Sequence, residues 1–170
     1  ELKMKIFGLL AVVLLVLGTS MVFGETLIIR PNDQGYYKDW TSPTCTKSFH
    51  WQCVDDAPAN TSDYIYTGQT DRKDTFLFQD IGLTSEPINK VTLYFYAKYL
   101  TSSKYKIQPL IRINQIPYYG SVKTLGGVWT YNNEIFTTNP ATGQPWTVAN
   151  VNALEAGTRT YTSGGGGLVA

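Results

Sequence analysis

The fold class is decided by one stretch of the sequence, Val91-Thr92-Leu93-Tyr94-Phe95-Tyr96-Ala97-Lys98-Tyr99. Successive side chains of a β-strand point to opposite faces of a sheet, so a period of two marks a half-buried strand. One face of this stretch consists of Val91, Leu93, Phe95, Ala97 and Tyr99. The other face carries Thr92, Tyr94, Tyr96 and Lys98. The stretch therefore predicts a strand with an apolar face on the core and tyrosines on its outer face.

Similar alternation extends outward from this strand in both directions. Further strands are expected at residues 26–30, 63–67, 75–79, 105–113, 117–122, 129–137 and 158–162. The strand at 105–113 is expected to be the hairpin partner of the first one, with Pro109 marking an edge or a bulge. A short helix is expected after Thr147 as N-cap, ending before Gly157. Frequent turn signals between short strands predict an all-β, jelly-roll-like antiparallel β-sandwich with one short helix.

The N-terminal 24 residues are typical of an export signal. Lys3 and Lys5 precede an apolar run at 6–17, and Val22 and Gly24 supply small or permissive residues at positions −3 and −1 before Glu25. A retained membrane anchor is the alternative, because the run counted to Phe23 reaches about 18 residues, the lower limit for a span. We therefore expect a signal peptide (1–24), a β-sandwich domain (25–162) and a Gly-rich flexible tail (163–170). The expected location is secreted, extracellular or cell-surface, with membrane contact only through an uncleaved signal.

The amino-acid composition of the chain argues against some classes of function. The chain has a formal net charge of +1, with 12 Tyr, 7 Phe and 4 Trp. Nucleic-acid binding requires a basic face, and the sequence supplies none. The two cysteines, Cys45 and Cys53, are expected to form a disulfide, since exported proteins pass through an oxidising compartment. A zinc site that includes His50 is the alternative, but it lacks a fourth ligand at the usual spacing.

Catalysis is not expected, because no residue pattern selects a nucleophile and base or a pair of carboxylates. The candidate carboxylates are Asp55, Asp56, Asp63, Asp71, Asp74, Asp80, Glu134 and Glu155. No cofactor is required by this interpretation. Asp55, Asp56 and Asp63 form an oxygen-rich loop cluster, however, and calcium is bound by such clusters.

Three further groups of residues are candidates for binding or modification. Outward-facing aromatic residues suit stacking against sugars, although a subunit interface would have the same composition. These aromatic residues are Tyr94, Tyr96, Trp129 and Tyr131. The segment Thr26-Leu27-Ile28-Ile29 is a short terminal strand that a neighbouring subunit could accept by strand addition. Asn60 begins the glycosylation sequon Asn60-Thr61-Ser62.

A longer pattern resembles a known kind of domain. It includes Gly35-Tyr36-Tyr37, Cys53-Val54-Asp55-Asp56 and, most specifically, the stretch from Asn139-Pro140-Ala141-Thr142-Gly143 to Val151-Asn152-Ala153-Leu154-Glu155-Ala156-Gly157. The series resembles an uncharacterised domain of tailed-phage virion proteins and secreted prokaryotic surface proteins. The resemblance implies a jelly-roll-like sandwich with structural, surface-display or glycan-contacting roles. The signal peptide and second cysteine depart from the phage pattern and favour a cell surface or filament.

These observations together predict a secreted or surface-displayed, non-catalytic structural subunit of an extracellular filament or surface layer. Its partners would be copies of itself or other surface proteins, coupled by strand donation. The alternative is a carbohydrate-binding module of a cell-surface protein, whose partner would be a polysaccharide.

Overall fold

The structure is a computed structural model that describes residues 2–14, 25–42, 44–45, 47–99 and 105–162. The predicted tail at 163–170 lies outside the described residues, as do residues 15–24 of the predicted signal. The strands are β1 (Leu2–Leu14), β2 (Glu25–Ile29), β3 (Pro31–Lys38), β4 (Ile65–Thr67), β5 (Lys73–Phe78), β6 (Ile88–Ala97), β7 (Tyr105–Ile113), β8 (Ile116–Tyr119), β9 (Lys123–Thr124), β10 (Thr130–Phe136) and β11 (Glu155–Thr162). A 3-10 helix, η1 (His50–Cys53), and an α-helix, α1 (Val148–Asn152), complete the described elements.

The strands form two antiparallel sheets. Sheet A has the order β10-β6-β1-β2, and β4 also pairs with β1. Sheet B has the order β3-β5-β11-β7-β8, and β9 also pairs with β7. Buried side chains from both sheets form one hydrophobic cluster, so the sheets pack as the two layers of a sandwich. The predicted all-β antiparallel sandwich with one short helix is confirmed.

The core is centred on the strand that the sequence marks most clearly. Val91, Leu93 and Phe95 of β6 are fully buried, as the alternation predicts. They belong to the same cluster as Phe76 of β5 and Ile107 of β7, from the opposite sheet. Burial of such side chains is the main favourable term in folding, at about 1.5–3 kcal/mol each.

The predicted hairpin between β6 and β7 is wrong. The two strands lie in different sheets, and β7 is an interior strand between β11 and β8. Pro109 is tolerated there because its carbonyl accepts a hydrogen bond from the Gly120 N–H (2.9 Å), just past the end of β8. The N and O atoms of one strand residue face the same neighbour, so the missing N–H of Pro109 also falls beyond the β8 ladder. Pro109 therefore removes no hydrogen bond from the ladder between β7 and β8.

The C-terminal helix is shorter than expected. Thr147 is its N-cap, as predicted, and its side chain accepts a hydrogen bond from the Asn150 N–H (3.1 Å). Gly157, however, does not follow the helix as a cap. It lies in β11, opposite Thr75 on one side and Leu110 on the other. The predicted last strand, 158–162, is thus the end of a longer strand inside sheet B.

A short connection at the other end of the chain joins β2 to β3. Strand β2 ends at Ile29, and Pro31 begins β3, an edge strand of sheet B. Proline is allowed at the first residue of an edge strand. A single residue, Arg30, therefore carries the chain from sheet A to sheet B, and its Nη1 donates to the Asp55 carbonyl (2.8 Å).

The predicted disulfide is confirmed. Cys45 and Cys53 are bonded with an S–S distance of 2.06 Å, and Cys53 is fully buried at the end of η1. Among the described residues, no helix has both the length and the apolar character needed to cross a membrane.

Candidate functional site

Strand β1 is the unexpected feature of sheet A. It is formed by residues 2–14, which belong to the predicted signal peptide, yet it lies inside the sheet. On one side it pairs with β6, from Met4 opposite Ala97 to Leu14 opposite Ile88. On its other side it pairs with β2 and β4. We call the edge of β6 that faces β1 the acceptor edge. Cleavage of residues 1–24 remains a prediction.

Strand β2 contains the residues predicted to couple subunits. It pairs antiparallel with β1, with Leu27 opposite Val12 and Ile29 opposite Leu10. Ile29 is buried and Leu27 packs partly against the core, whereas Ile28 is 52% exposed. The prediction that Thr26 to Ile29 form a strand is therefore confirmed. Within the described ladders, β1 is the one strand that pairs with β2.

The outward aromatic residues of sheet A form a cluster. Tyr96 on β6 stands opposite Tyr131 on β10, with ring centroids 4.4 Å apart. The Trp129 ring stacks on Tyr96 at 5.5 Å, and Lys98 Nζ lies 5.2 Å from the centre of the Trp129 ring. Tyr64, from the loop before β4, joins at 5.9 Å. We call Tyr64, Tyr96, Lys98, Trp129 and Tyr131 the aromatic cluster.

Three of the four predicted ligand-binding residues thus lie together. The fourth, Tyr94, is half-buried, opposite Asn133 in the next register position on the same face. Tyr131 is 58% exposed, but Tyr96 and Lys98 pack against the ring of Trp129. Much of the aromatic surface is therefore used within the cluster. Lys98 lies on the outer face that the alternation assigned to it, whereas Tyr64 comes from a distant segment.

The acidic residues considered for calcium lie near one another. Burial raises the pKa of the Asp55 carboxyl above its ordinary value, a backbone hydrogen bond opposes this, and the negative charges of Asp56 and Asp63 raise it further. Asp63 also lies within 4.8 Å of the sulfurs of Cys45 and Cys53. Because those sulfurs are bonded to each other, they are not thiolate ligands. Calcium at the three aspartates remains a hypothesis.

The predicted glycosylation site is accessible. Asn60 is exposed in the loop between η1 and β4. Its side-chain oxygen accepts hydrogen bonds from the Ser62 N–H (3.1 Å) and the Ser62 hydroxyl (2.6 Å). These contacts arrange the sequon as a local turn, and its modification remains a prediction.

A buried polar pair was not anticipated. His50 Nδ1 of η1 lies 2.6 Å from Asp74 Oδ2 of β5, and Asp74 is fully buried. Gln34 Nε2 on β3 donates to Asp74 Oδ1 (2.9 Å). Burial raises the pKa of Asp74 above its ordinary value, and the hydrogen bonds from His50 and Gln34 act in the opposite direction. The contact between His50 and Asp74 joins the disulfide-bridged segment to sheet B.

We expect Asp74→Asn to flatten the pH dependence of stability. A carboxyl whose folded pKa is raised stabilises the fold below its unfolded pKa, about 3.9, and this contribution is lost as the pH rises to the folded value. Asparagine keeps an oxygen for Gln34 and an N–H for His50 Nδ1, and it does not titrate. Urea unfolding at a series of pH values from about 3.5 to 7.5 measures the difference.

The control for this prediction is Asp80→Asn, at an exposed carboxyl in the loop after β5. It should leave the profile unchanged. An Asp74→Asn protein whose unfolding free energy has the same pH dependence as the parent would contradict the prediction.

The fold and these sites define a class: an all-β, disulfide-bridged antiparallel sandwich whose N-terminal strand lies inside one sheet. Comparison with family models, curated proteins and solved structures gave no match to this chain. The resemblance to phage and prokaryotic surface domains therefore remains a hypothesis.

Proposed function

We propose that the chain is an exported structural subunit that assembles with copies of itself through sheet A. The observation that supports this is the position of β1. The residues that the sequence predicts to be removed on export form the strand that covers the acceptor edge of β6.

Removal of β1 would leave the acceptor edge unpaired. The backbone N–H and C=O groups of β6 that pair with β1 lie along residues 88–97 and would lose their partners. Such an edge is a template for a strand from another chain. Removal would also expose apolar surface around Val91 and Leu93 to water. Exposure of apolar surface costs about 25 cal/mol of free energy per Å². Both effects favour association of the exported domain.

The disulfide supports export. A buried cysteine pair bonded in a short loop is typical of proteins that fold in an oxidising compartment. Exported subunits coupled by strands build extended assemblies, and we therefore propose an extracellular filament or surface layer as the product.

Carbohydrate binding is the second candidate function. It is favoured by one observation, the exposed Tyr131 ring beside Tyr96, in a cluster whose Trp129 ring is contacted by the Lys98 ammonium. An aromatic surface flanked by polar groups suits the apolar face and hydroxyl rim of a sugar.

The test is to express the whole sequence in a secreting host and purify the product from the medium. Mass spectrometry should show a chain that begins at Glu25, and electron microscopy should show ordered polymers. The matched control is the same sequence produced in an oxidising cell-free system without signal peptidase. There β1 is retained, and we expect monomers by size-exclusion chromatography.

A processed product that stays monomeric and unfolds cooperatively would contradict the assembly function. If that monomer is retained on a polysaccharide column, and Tyr131→Ala abolishes the retention, the second candidate is favoured instead.

A further inference from the structure

We propose that the strand completing sheet A in the assembled protein is β2 of a second copy, with Leu27 opposite Leu93 and Ile29 opposite Val91. The inference rests on the proposed function and names the partner and the register at the acceptor edge. Three observations carry it: the pairing of β2, its apolar pattern and its short connection to β3.

Strand β2 is the element that loses its place when β1 is removed. Among the described ladders, its five residues pair with β1 alone. Strand β4 also pairs with β1, but Tyr66 of β4 keeps two backbone hydrogen bonds to Thr41 (2.7 and 2.8 Å). Strand β3 keeps its ladder with β5. Removal of β1 therefore leaves β2 without a hydrogen-bonded neighbour, and it also leaves the acceptor edge of β6 unpaired.

The apolar pattern of β2 matches the acceptor edge. Positions 10 and 12 of β1 stand opposite Leu93 and Val91, and they are occupied by Leu and Val. Strand β2 has Leu27 and Ile29 at the same spacing.

Placed antiparallel to β6, as β1 is, β2 brings these two residues to the same two register positions. In the present fold Leu27 and Ile29 already pack against the core. Ile28 is 52% exposed, and it would stand opposite Thr92, on the face of β6 away from Leu93.

The connection to β3 disfavours self-completion. Within one molecule β2 is antiparallel to β1, and β1 is antiparallel to β6, so β2 runs parallel to β6. To take the place of β1 in its own sheet, β2 would have to reverse its direction as well as move by one strand spacing, about 4.8 Å. Arg30 is the single residue between β2 and β3, and Pro31 of β3 is paired with Phe78 in sheet B, so the reversal would break the start of that ladder. A strand from another molecule is not under this restraint.

The same connection predicts the geometry of the polymer. In the donor molecule, sheet B begins one residue after the donated β2. The rest of the donor must therefore lie directly at the end of the accepting molecule's sheet A. Donor and acceptor surfaces differ, so each subunit can donate at one end and accept at the other. A heterologous contact that does not close produces a linear filament.

Cysteine cross-linking between two different chains tests the register. One exported chain carries Leu27→Cys and the other Leu93→Cys, and the two are co-secreted. Directly opposed residues of antiparallel strands have Cα atoms about 4.5–5.5 Å apart, which is within disulfide range. The native cysteines are already bonded to each other. We expect a covalent dimer on non-reducing electrophoresis, with the 27–93 linkage identified by mass spectrometry.

The matched control pairs Ile28→Cys with Leu93→Cys, which places the two residues on opposite faces of the sheet and should give no dimer. Ile29→Cys with Val91→Cys is a second test pair, in case the Leu93 replacement impairs folding.

The outcomes separate the two proposals. Polymers that form without either expected cross-link, or with the 28–93 linkage, would overturn the donor or its register and leave assembly standing. A single chain carrying both Leu27→Cys and Leu93→Cys that closes within a monomer would show self-completion, and would also overturn the inference. Absence of polymers from the parent exported chain would refute the proposed function itself.

Discussion

Gly157→Ala is expected to prevent stable folding of sheet B. Gly157 lies in β11, an interior strand, and a Cβ atom at this position would be 1.9 Å from the Asp74 carbonyl oxygen and 2.8 Å from the Thr75 Cα. Both are main-chain atoms of β5, which cannot retreat without breaking its pairing with β11 or β3. We expect a loss of about 4 kcal/mol or more in unfolding free energy, in the range of the most damaging single substitutions.

Urea unfolding followed by circular dichroism measures this loss, and Gly126→Ala is the matched control. The nearest atom to a Cβ at Gly126 is the Val128 nitrogen at 3.9 Å, an ordinary contact. Its effect should stay within about 0.5 kcal/mol, as for most surface substitutions. A Gly157→Ala protein with the stability of the parent would show that β5 and β11 are not as close as described.

Local alternation identified the faces of the strands but not their neighbours. The inner face of β6 and the buried isoleucines of β7 follow from a period of two along each strand. The assignment of β7 to the opposite sheet does not, because the seven residues between the strands allow either a hairpin or a crossing to the other layer. That choice depends on contacts with β11, far along the chain, which no local pattern contains.

Strand β1 shows a second limit of sequence reasoning. The hydrophobic core of an export signal and a strand buried in a sheet are both short continuous apolar runs. The positive residues Lys3 and Lys5 favour the signal, so the sequence predicts a signal peptide at 1–24 and a sandwich that begins at residue 25. The two interpretations are compatible under the proposed function, in which β1 is removed on export and a strand of another copy takes its place.

The candidate sites were predictable to different degrees. Tyr96 and Tyr131 were expected on an outer face, and the antiparallel pairing of β6 with β10 places them opposite each other. The pair of His50 with Asp74 joins residues 24 apart in different elements, so no local sequence pattern predicts it. Gly157 looked like a helix cap because the need for a close strand approach is invisible without the neighbouring strand.

The second large effect is expected at a buried ion pair on sheet B. Arg112 of β7 stands opposite Glu155 of β11, and its Nη1 donates to the Glu155 carboxylate. Arg112 is buried, and the Tyr36 ring covers its guanidinium, with the ring centroid 4.2 Å from the guanidinium carbon. The other carboxylate oxygen accepts hydrogen bonds from the Thr75 hydroxyl (2.9 Å) and the Tyr36 N–H (2.7 Å).

We expect Glu155→Leu to lower the unfolding free energy by about 3–5 kcal/mol, because it leaves the Arg112 charge buried without its partner. Arg112→Met should cost less, since the Glu155 carboxylate would keep its hydrogen bonds from Thr75 and Tyr36. The double variant should recover much of the loss, because an apolar pair of similar volume leaves no unpaired charge. Urea unfolding of the four proteins completes a double-mutant cycle. If the two losses simply add, the carboxylate does not stabilise the fold through Arg112, and the burial of that charge requires another explanation.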